Sequence, residues 1–257
     1  MMVSYAQNFE DVMLERAFAD VKDGFYVDVG AWDPDLDSVT RHFYDRGWRG
    51  VNVEPNPHYL ARLRARRPND VNLGVAVGAQ AGRATMTLIH GTGMSTFDRS
   101  IAAGHASLDF KQEQTEVELR TLDSIFAEFA PPTVHFLKID CEGSEADVIN
   151  AFDLRRFRPW IILVEATRPL SRELSHETWD PHIVSADYRF VYFDGLNRFY
   201  VAAEHADLQK HFETPPNIFD EFMVDRMMQY GVMMHEQRRA EARKTVGGWL
   251  RSAFTGS

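Results

Sequence analysis

Two stretches of the sequence decide the fold: FYVDVGA at residues 25–31 and VNVEPNP at residues 51–57. Each is an aromatic or β-branched run that leads into a glycine or a proline, so each predicts a buried strand followed by a turn. Asn56 can cap a helix after the second strand, and Pro57 suits the first turn of that helix. We predict another helix over residues 38–46, with its first residue, a serine, as the cap.

The remainder of the chain continues this alternation. Further strands are predicted at residues 71–77, 83–90, 133–139 and 160–164, and further helices from Asp123 and over residues 144–152. The first two of these strands are expected to pair through a glycine-containing turn. Near the end, two aromatic runs at 190–193 and 198–201 flank the turn Asp-Gly-Leu-Asn, which predicts a hairpin. The pattern indicates an α/β, Rossmann-like fold with a mostly parallel seven-stranded sheet and a C-terminal antiparallel hairpin strand.

Two segments do not follow this pattern. Residues 90–114 show little periodicity, and a loop of that length in a compact domain is usually functional or mobile. After a Pro-Pro pair, the chain predicts a helix from residue 219 to about residue 245. We therefore expect one domain over residues 1–214, followed by a helical extension with a basic tail over residues 215–257.

The basic tail combines positive charge with an apolar side. Its cations are Arg238, Arg239, Arg243, Lys244 and Arg251, and its apolar residues are Val246, Trp249, Leu250 and Phe254. This combination is typical of a segment that docks on a partner or on an anionic membrane surface. We favour a helix packed on its own domain, or on a second copy in a homodimer, over membrane contact.

The composition excludes several classes of protein. A formal net charge of −10 argues against a general nucleic-acid binder, because phosphate contacts need an excess of Lys and Arg. The single cysteine, Cys141, excludes an internal disulfide and fits a reducing compartment. We expect neither a secretory signal nor a transmembrane segment, since no apolar run is long enough. A cytoplasmic location is expected, with peripheral contact to the inner membrane face as a variant of it.

Polar residues stand at the ends of the first two strands. Asp28 and Gly30 close the first strand and Glu54 closes the second, at the edge where open α/β sheets bind ligands. A dinucleotide enzyme would need the pattern Gly-x-Gly-x-x-Gly, which this loop lacks, and the aspartates of the loop would repel phosphate. The acidic loop suits instead a cofactor with a cationic amino-acid end and no phosphate, such as S-adenosylmethionine.

Several separated motifs occur in an order that matches a known family. They are YAQNFED at residues 5–11, FYVDVGA at 25–31, NVEPNP at 52–57, AVG at 76–78 and LKIDCEG at 137–143. Together they resemble the FkbM-type methyltransferases, over about residues 4–220. The resemblance implies the sheet of the class I methyltransferases, S-adenosylmethionine as cofactor and S-adenosylhomocysteine as product. It usually implies O-methylation of a sugar or polyketide hydroxyl.

The resemblance also implies which residues bind the cofactor. They are Gln7, Glu10, Asp11, Asp28, Gly30, Ala31, Trp32, Glu54, Pro55, Asn56, Val77 and Asp140. The first three match a family segment that folds back over the cofactor. Two positions depart from related sequences. Ala6 stands where the family often has serine, and Trp32 where many methyltransferases have a small residue, so we expect its ring to pack on the cofactor or to roof the acceptor cleft.

A sugar hydroxyl is a poor nucleophile, so its methylation needs a base or a metal beside the transferred methyl group. The candidate catalytic residues are Asp140, Glu165, Glu142 and His176. Asp140 and Glu165 end neighbouring strands, and either could be the base, or the two could bind Mg²⁺. Metal-dependent O-methyltransferases usually show an adjacent acidic pair there, but Ala166 follows Glu165. We therefore favour metal-free general-base catalysis.

Three functions are open at this point. The first is O-methylation of a sugar, a glycan or a related glycosylated small molecule. The second is N-methylation of a protein or small amine, although the usual Asn/Asp-Pro-Pro-Tyr-type motif is absent. The third is a non-catalytic methyltransferase-like module in a glycosyltransferase assembly. Residues 193–201 and 215–220 resemble a branch often associated with bacterial polysaccharide glycosyltransferases, which favours polysaccharide biosynthesis and a glycosyltransferase partner.

Overall fold

Strands and helices alternate along the chain. The computed structural model describes residues 1–89, 93, 95–97, 111–169, 171–230 and 233. The strands are β1 (Met2–Ser4), β2 (Phe25–Val29), β3 (Arg49–Val53), β4 (Val71–Leu73), β5 (Ala76–Val77), β6 (Gly82–Ile89), β7 (Gln112–Arg120), β8 (Phe136–Ile139), β9 (Ile161–Glu165), β10 (Tyr188–Phe193), β11 (Asn197–Ala202) and β12 (Phe222–Val224). The helices are α1 (Glu10–Phe18), α2 (Arg41–Asp45), α3 (Pro57–Arg66), α4 (Leu122–Phe129), α5 (Glu145–Asn150) and α6 (Asp180–Ser185). Within these described ranges, no helix has both the length and the apolar character that a membrane span needs.

A seven-stranded sheet forms the centre, in the order β10-β11-β9-β8-β2-β3-β4. The strands from β9 to β4 pair in parallel, whereas β11 pairs antiparallel with both β9 and β10. The predicted α/β fold, with its mostly parallel sheet and antiparallel hairpin strand, is confirmed. The carboxyl ends of β2, β3, β8 and β9 meet at one edge of the sheet, where Asn197 at the start of β11 lies opposite Glu165.

Both faces of this sheet are buried, which explains why its strands are nearly continuous apolar runs. Alternate residues of a strand point to opposite faces. Val27 and Leu137 belong to an apolar cluster on one face, and Tyr26 and Phe136 belong to a second cluster on the other. Because β9 is also buried along its whole length, the strand ends have fixed positions, and so do the side chains that follow them.

The region between α3 and β8 differs from the prediction. The run at residues 71–77 is divided, since β4 belongs to the central sheet and β5 to a second sheet with the order β5-β7-β6. β6 therefore pairs with β7, and not with the preceding run. β7 lies partly inside the loop predicted at 90–114, most of which falls outside the described residues. Val117 is the fully buried residue of β7, and Leu119 packs against the same apolar cluster. The strand begins with the polar residues 112–114, so its start carries no apolar alternation.

The helix after β2 is shorter than the helix predicted over residues 38–46. Ser38 does not cap α2, because its hydroxyl accepts a hydrogen bond from the buried guanidinium of Arg67 (2.6 Å). Arg67 also donates to Thr40 Oγ1 (2.5 Å), and the Thr40 hydroxyl donates in turn to Asp28 Oδ2 (2.9 Å). A buried arginine needs acceptors for its N–H groups, and Ser38, Thr40 and the carbonyl of Pro34 supply three of them, at the expense of the expected cap.

The chain beyond the Pro-Pro pair also departs from the prediction. It forms a 3-10 turn at Ile218–Asp220, closed by a capping box, and Glu221 then adopts a left-handed conformation with φ 49°. This turn leads into β12, which pairs in parallel with β1. The helix predicted from residue 219 is therefore wrong at its start, although residues 225–230 are helical. The tail residues 238–254 lie outside the described residues.

Arg16 of α1 joins the N-terminal segment to the segment that precedes β12. Its guanidinium donates to both carboxylate oxygens of Asp220, at 2.8 and 2.7 Å. It also donates to the carbonyls of His211 and Thr214, at 2.9 Å each. These contacts attach the N-terminal segment, which precedes β2, to the segment that leads into β12.

We expect Arg16→Gln to lower the free energy of unfolding by about 1–3 kcal/mol, because a glutamine cannot replace the charge-assisted bonds to Asp220. Urea denaturation measures the loss. Arg189→Gln is the matched control, since this arginine makes one exposed bond, to Gln209, and its loss should change stability by less than about 0.5 kcal/mol. Equal stability of the two variants would contradict the assigned role.

Candidate active site

A buried lysine stands at the centre of the sheet edge. Lys138 of β8 lies opposite Asp28 of β2 in the parallel register. Its ammonium donates to the carbonyl of Gly30 (3.1 Å) and lies 3.3 Å from both Asp28 Oδ1 and Asp140 Oδ2. Burial lowers the pKa of Lys138, but the two carboxylates outweigh burial and hold that pKa above its usual value. Lys138 is therefore a permanent cation that ties the ends of two strands together.

The loop after β2 approaches the end of β8 very closely. Gly30 has φ +78°, and a Cβ at this position would lie 1.8 Å from the carbonyl oxygen of Asp140. No side chain other than hydrogen fits there. The amides of Gly30 and Ala31 both donate to the carbonyl of Val53, at 3.0 and 3.1 Å. The loop is thereby held between the ends of β3 and β8, as its position in the sequence predicts.

Glu54 organises the end of β3. Its carboxylate accepts hydrogen bonds from the amides of Trp32 (2.9 Å) and Asn56 (2.7 Å), one on each oxygen. The predicted cap of α3 is confirmed, because Asn56 Oδ1 accepts from the amide of His58 (3.0 Å). Burial raises the pKa of Glu54 to about 7, against the effect of these two amides. Each carboxylate oxygen keeps a further acceptor position, which a ligand hydroxyl can use.

Four carboxyl groups gather at the ends of β8 and β9. Single carboxylate oxygens of Asp140, Glu145 and Glu165 lie within 4.8 Å of one another. Glu145 Oε1 accepts from the amides of Cys141 and Gly143, at 2.8 and 3.2 Å, which holds the turn after β8. Glu165 is 9% exposed, and its Oε2 has no hydrogen-bond partner in the described part of the chain. The fourth group belongs to Glu142, which follows Asp140 by two residues.

Crowding among these groups changes their protonation. Burial raises the pKa of Glu165, and the charges of Asp140, Glu142 and Glu145 raise it further. Burial also raises the pKa of Glu142, with Asp140 and Glu145 as the next causes. Adjacent like charges cannot all ionise, so Glu165 keeps its proton at neutral pH. The lysine lies beside Asp140 and provides that carboxylate with a cation.

The strand ends open into a cleft of about 560 Å³, a size that suits a small organic ligand. Its walls include Gln7, Asp28, Gly30, Ala31, Trp32, Asp37, Glu54, Lys138, Asp140, Glu142, Glu165, Thr167, Ser171, Arg172 and Leu196. A neighbouring recess shares Gly30, Glu54 and Asp140 with the cleft and is otherwise mainly apolar. Pro55 and Val77 line that recess. The structure thus places most of the predicted site residues around one continuous space.

Four predicted residues do not line this space. Asp11 accepts from Ser4 Oγ (2.7 Å) and from the amide of Tyr5 (2.7 Å), so it holds the N-terminal turn. Glu10 is buried and accepts from Asn197 Nδ2 (2.8 Å), and burial raises its pKa to about 8. Both residues support the segment that carries Gln7 without facing the cleft. The side chains of Asn56 and His176 lie elsewhere, on the α3 cap and in a 3-10 helix against Trp179.

Three further residues line the cleft without having been predicted from the sequence: Lys138, Asp37 and Arg172. Lys138 could have been found, because a lysine inside the apolar run FLKI needs anionic partners when that run is buried. Asp37 and Arg172 lie in loops without a periodic pattern. Their position depends on how the chain turns after β2 and β9, which local sequence does not determine.

One family model and several solved structures are similar to this chain. The model of the methyltransferase FkbM domain matches residues 28–190. No curated protein matches the chain. Among solved structures, a TehB-like SAM-dependent methyltransferase from Corynebacterium glutamicum is 6% identical, with a TM-score of 0.40 over 74% of this chain and 87% of that one. Precorrin-6y C5,15-methyltransferase from Geobacter metallireducens is 13% identical, with a TM-score of 0.38 over 76% and 87%.

We expect Lys138→Met to lower the free energy of unfolding by about 3–5 kcal/mol, because it leaves Asp28 and Asp140 buried or half-buried without their cation. Thermal or urea unfolding at pH 7 measures the change. Lys210→Met, at an exposed position, is the control and should cost less than about 0.5 kcal/mol. If both variants unfold alike, Lys138 does not hold the strand ends together.

Proposed function

The chain belongs to the methyltransferase FkbM domain family, and we propose that it methylates a hydroxyl group of a sugar, a glycan or a related glycosylated small molecule. Membership of this S-adenosylmethionine-dependent family implies S-adenosylmethionine as the methyl donor. The observation that carries the proposal is the acidic cleft at the strand ends, in which one carboxylate is paired with a buried cation and its neighbour keeps a proton. This arrangement provides a base for a hydroxyl group.

The residues of the cleft fit the cofactor chemically. Asp28 Oδ1 is buried and accepts no hydrogen bond within the described structure, although it lies beside Lys138. It and Gln7 are placed to receive the cationic amino-acid end of S-adenosylmethionine. Glu54 retains acceptor positions for the two ribose hydroxyls, and the apolar recess at Val77 suits a base ring. When bound, S-adenosylmethionine supplies a methyl group attached to a positively charged sulfur.

Asp140 is the carboxylate that we assign as the general base. It lies at the end of β8, about one-third of its side chain is exposed, and it faces the cleft. Glu165 is protonated at neutral pH and cannot accept another proton, so it stabilises Asp140 as a neutral neighbour. Asp140 takes the proton of the acceptor hydroxyl as the oxygen attacks, and later releases that proton to solvent.

The same carboxylates could in principle hold a hard cation, because oxygen ligands suit Mg²⁺. We favour the metal-free mechanism. Lys138 already provides positive charge 3.3 Å from Asp140, and two backbone amides occupy Glu145 Oε1. A divalent ion would therefore compete with Lys138 for Asp140 and with the two amides for Glu145 Oε1.

Glu54→Ala should weaken the binding of S-adenosylhomocysteine by about 1–3 kcal/mol, since two ribose hydrogen bonds are lost. Calorimetry measures the affinity, with NAD as a ligand that should not bind. Glu118→Ala, an exposed position on β7, is the control. Because Glu54 also holds two loop amides, Glu54→Gln provides a second variant with similar shape. Wild-type affinity in both Glu54 variants would exclude Glu54 as the ribose residue.

Asp140→Asn should reduce the rate of methyl transfer by about 10²–10⁴-fold, because an amide cannot serve as the base. Glu165→Gln mimics the protonated acid and should keep turnover within about tenfold of wild type. Radiolabelled transfer from S-adenosylmethionine to a panel of sugar nucleotides and glycans measures both. Near-normal turnover of Asp140→Asn would show that another group is the base, and activity lost in EDTA and restored by Mg²⁺ would overturn the metal-free mechanism.

A further inference from the structure

Described residues of the loop that follows β9 line the cleft and are joined by backbone hydrogen bonds. The amide of Ser175 donates to the carbonyl of Ala166, and that of Arg168 donates to the carbonyl of Glu173, at 2.8 Å each. An antiparallel bridge joins Thr167 to Leu174. This loop begins directly after Glu165, and three of its side chains line the cleft: Thr167, Ser171 and Arg172.

Two arginines of this loop have different surroundings. Arg168 Nε pairs with Glu173 Oε1 at 2.9 Å, and Arg168 does not line the cleft. Arg172 lines the cleft and forms neither an ion pair nor a hydrogen bond in the described part of the chain. Arg172 is exposed. Among the described residues of the cleft walls, the other cation is Lys138, which is already paired with Asp28 and Asp140. The donors of Arg172 are therefore available to a ligand.

We propose that Arg172 binds an anionic group of the acceptor, so that the enzyme prefers acidic glycans or sugar phosphates to neutral sugars. The inference rests on the proposed O-methyltransferase function. A guanidinium matches the two oxygens of a carboxylate or of a phosphate with parallel N–H donors, and this match adds orientation as well as affinity. Ser171 and Thr167 line the cleft beside it and offer hydroxyls to the rest of the acceptor.

The carboxylate of the cofactor's amino-acid end is an alternative anion for Arg172, but the topology argues against it. Asp28, which we assign to that end, belongs to β2, whereas Arg172 follows β9, and β8 lies between these strands. Neighbouring strands are about 4.8 Å apart, so the two strand ends are separated by about 10 Å. Asp140, the proposed base, follows the intervening strand. An acceptor that reaches Asp140 from the β9 side passes Arg172 first.

The test compares Arg172→Gln with Arg168→Gln, which removes the same charge from the same loop. The probes are two matched pairs: a glucuronate oligosaccharide with its carboxyl-reduced form, and glucose 1-phosphate with glucose. Calorimetry measures their binding to the protein loaded with S-adenosylhomocysteine. We expect the wild type to bind the acidic member of one pair at least about tenfold more tightly. The pair that shows this preference identifies the carboxylate or the phosphate as the anion.

Arg172→Gln should abolish the preference, and Arg168→Gln should keep it. Affinity for S-adenosylhomocysteine should be unchanged in both variants, and its loss in Arg172→Gln alone would assign the arginine to the cofactor and overturn the inference. No acidic preference in either pair, or a preference retained in Arg172→Gln, would also overturn it. Methyl transfer to neutral hydroxyls would then still support the proposed function, whereas transfer only to amines would refute that function separately.

Discussion

The buried ammonium of Lys138 is the contact on which the cleft depends. It stands between Asp28, Asp140 and the carbonyl of Gly30, at the point where β2 and β8 present their carboxyl ends. The carboxylates of Asp28 and Asp140 would repel each other at this edge of the sheet. The ammonium of Lys138 lies between them and attracts both. The tight approach of Gly30 to the end of β8 is possible because glycine has no Cβ, and the ion pairs of Lys138 join the same two strand ends.

The acidic groups around Lys138 differ in their partners and in their protonation. Asp140 has the lysine beside it, Glu54 is satisfied by two loop amides, and Glu165 lacks a cation and keeps its proton. We therefore propose three functions for these three carboxyl groups: general base for Asp140, hydroxyl acceptor for Glu54 and neutral neighbour for Glu165. Within the described part of the chain, Arg172 has no ion-pair partner, and Asp28 and Asp140 are paired with Lys138.

The sequence predicted the parts of this arrangement that follow from strand periodicity. Asp28, Gly30, Glu54, Asp140 and Glu165 close apolar runs, and all five line the cleft. It did not predict the first residues of β7, which are polar and lie inside the loop predicted at residues 90–114, or the cap of α2, where Arg67 competes for the hydroxyl of Ser38. Glu10 and Asp11 were assigned to the cofactor from a family motif, yet Glu10 accepts a hydrogen bond from Asn197 of β11, and Asp11 accepts one from Ser4. A motif identifies a segment, whereas the direction of each side chain depends on tertiary contacts.

We infer that the methyl donor binds in the acidic cleft at the carboxyl ends of the strands. A crystal structure of the chain with S-adenosylhomocysteine tests it most directly, through the distances from Glu54 and Asp28 to the bound product. We predict that both ribose hydroxyls lie at about 2.5–3.0 Å from the Glu54 carboxylate, with the amino-acid end beside Asp28 and Gly30. A product bound away from Glu54, or density outside the cleft, would contradict the account.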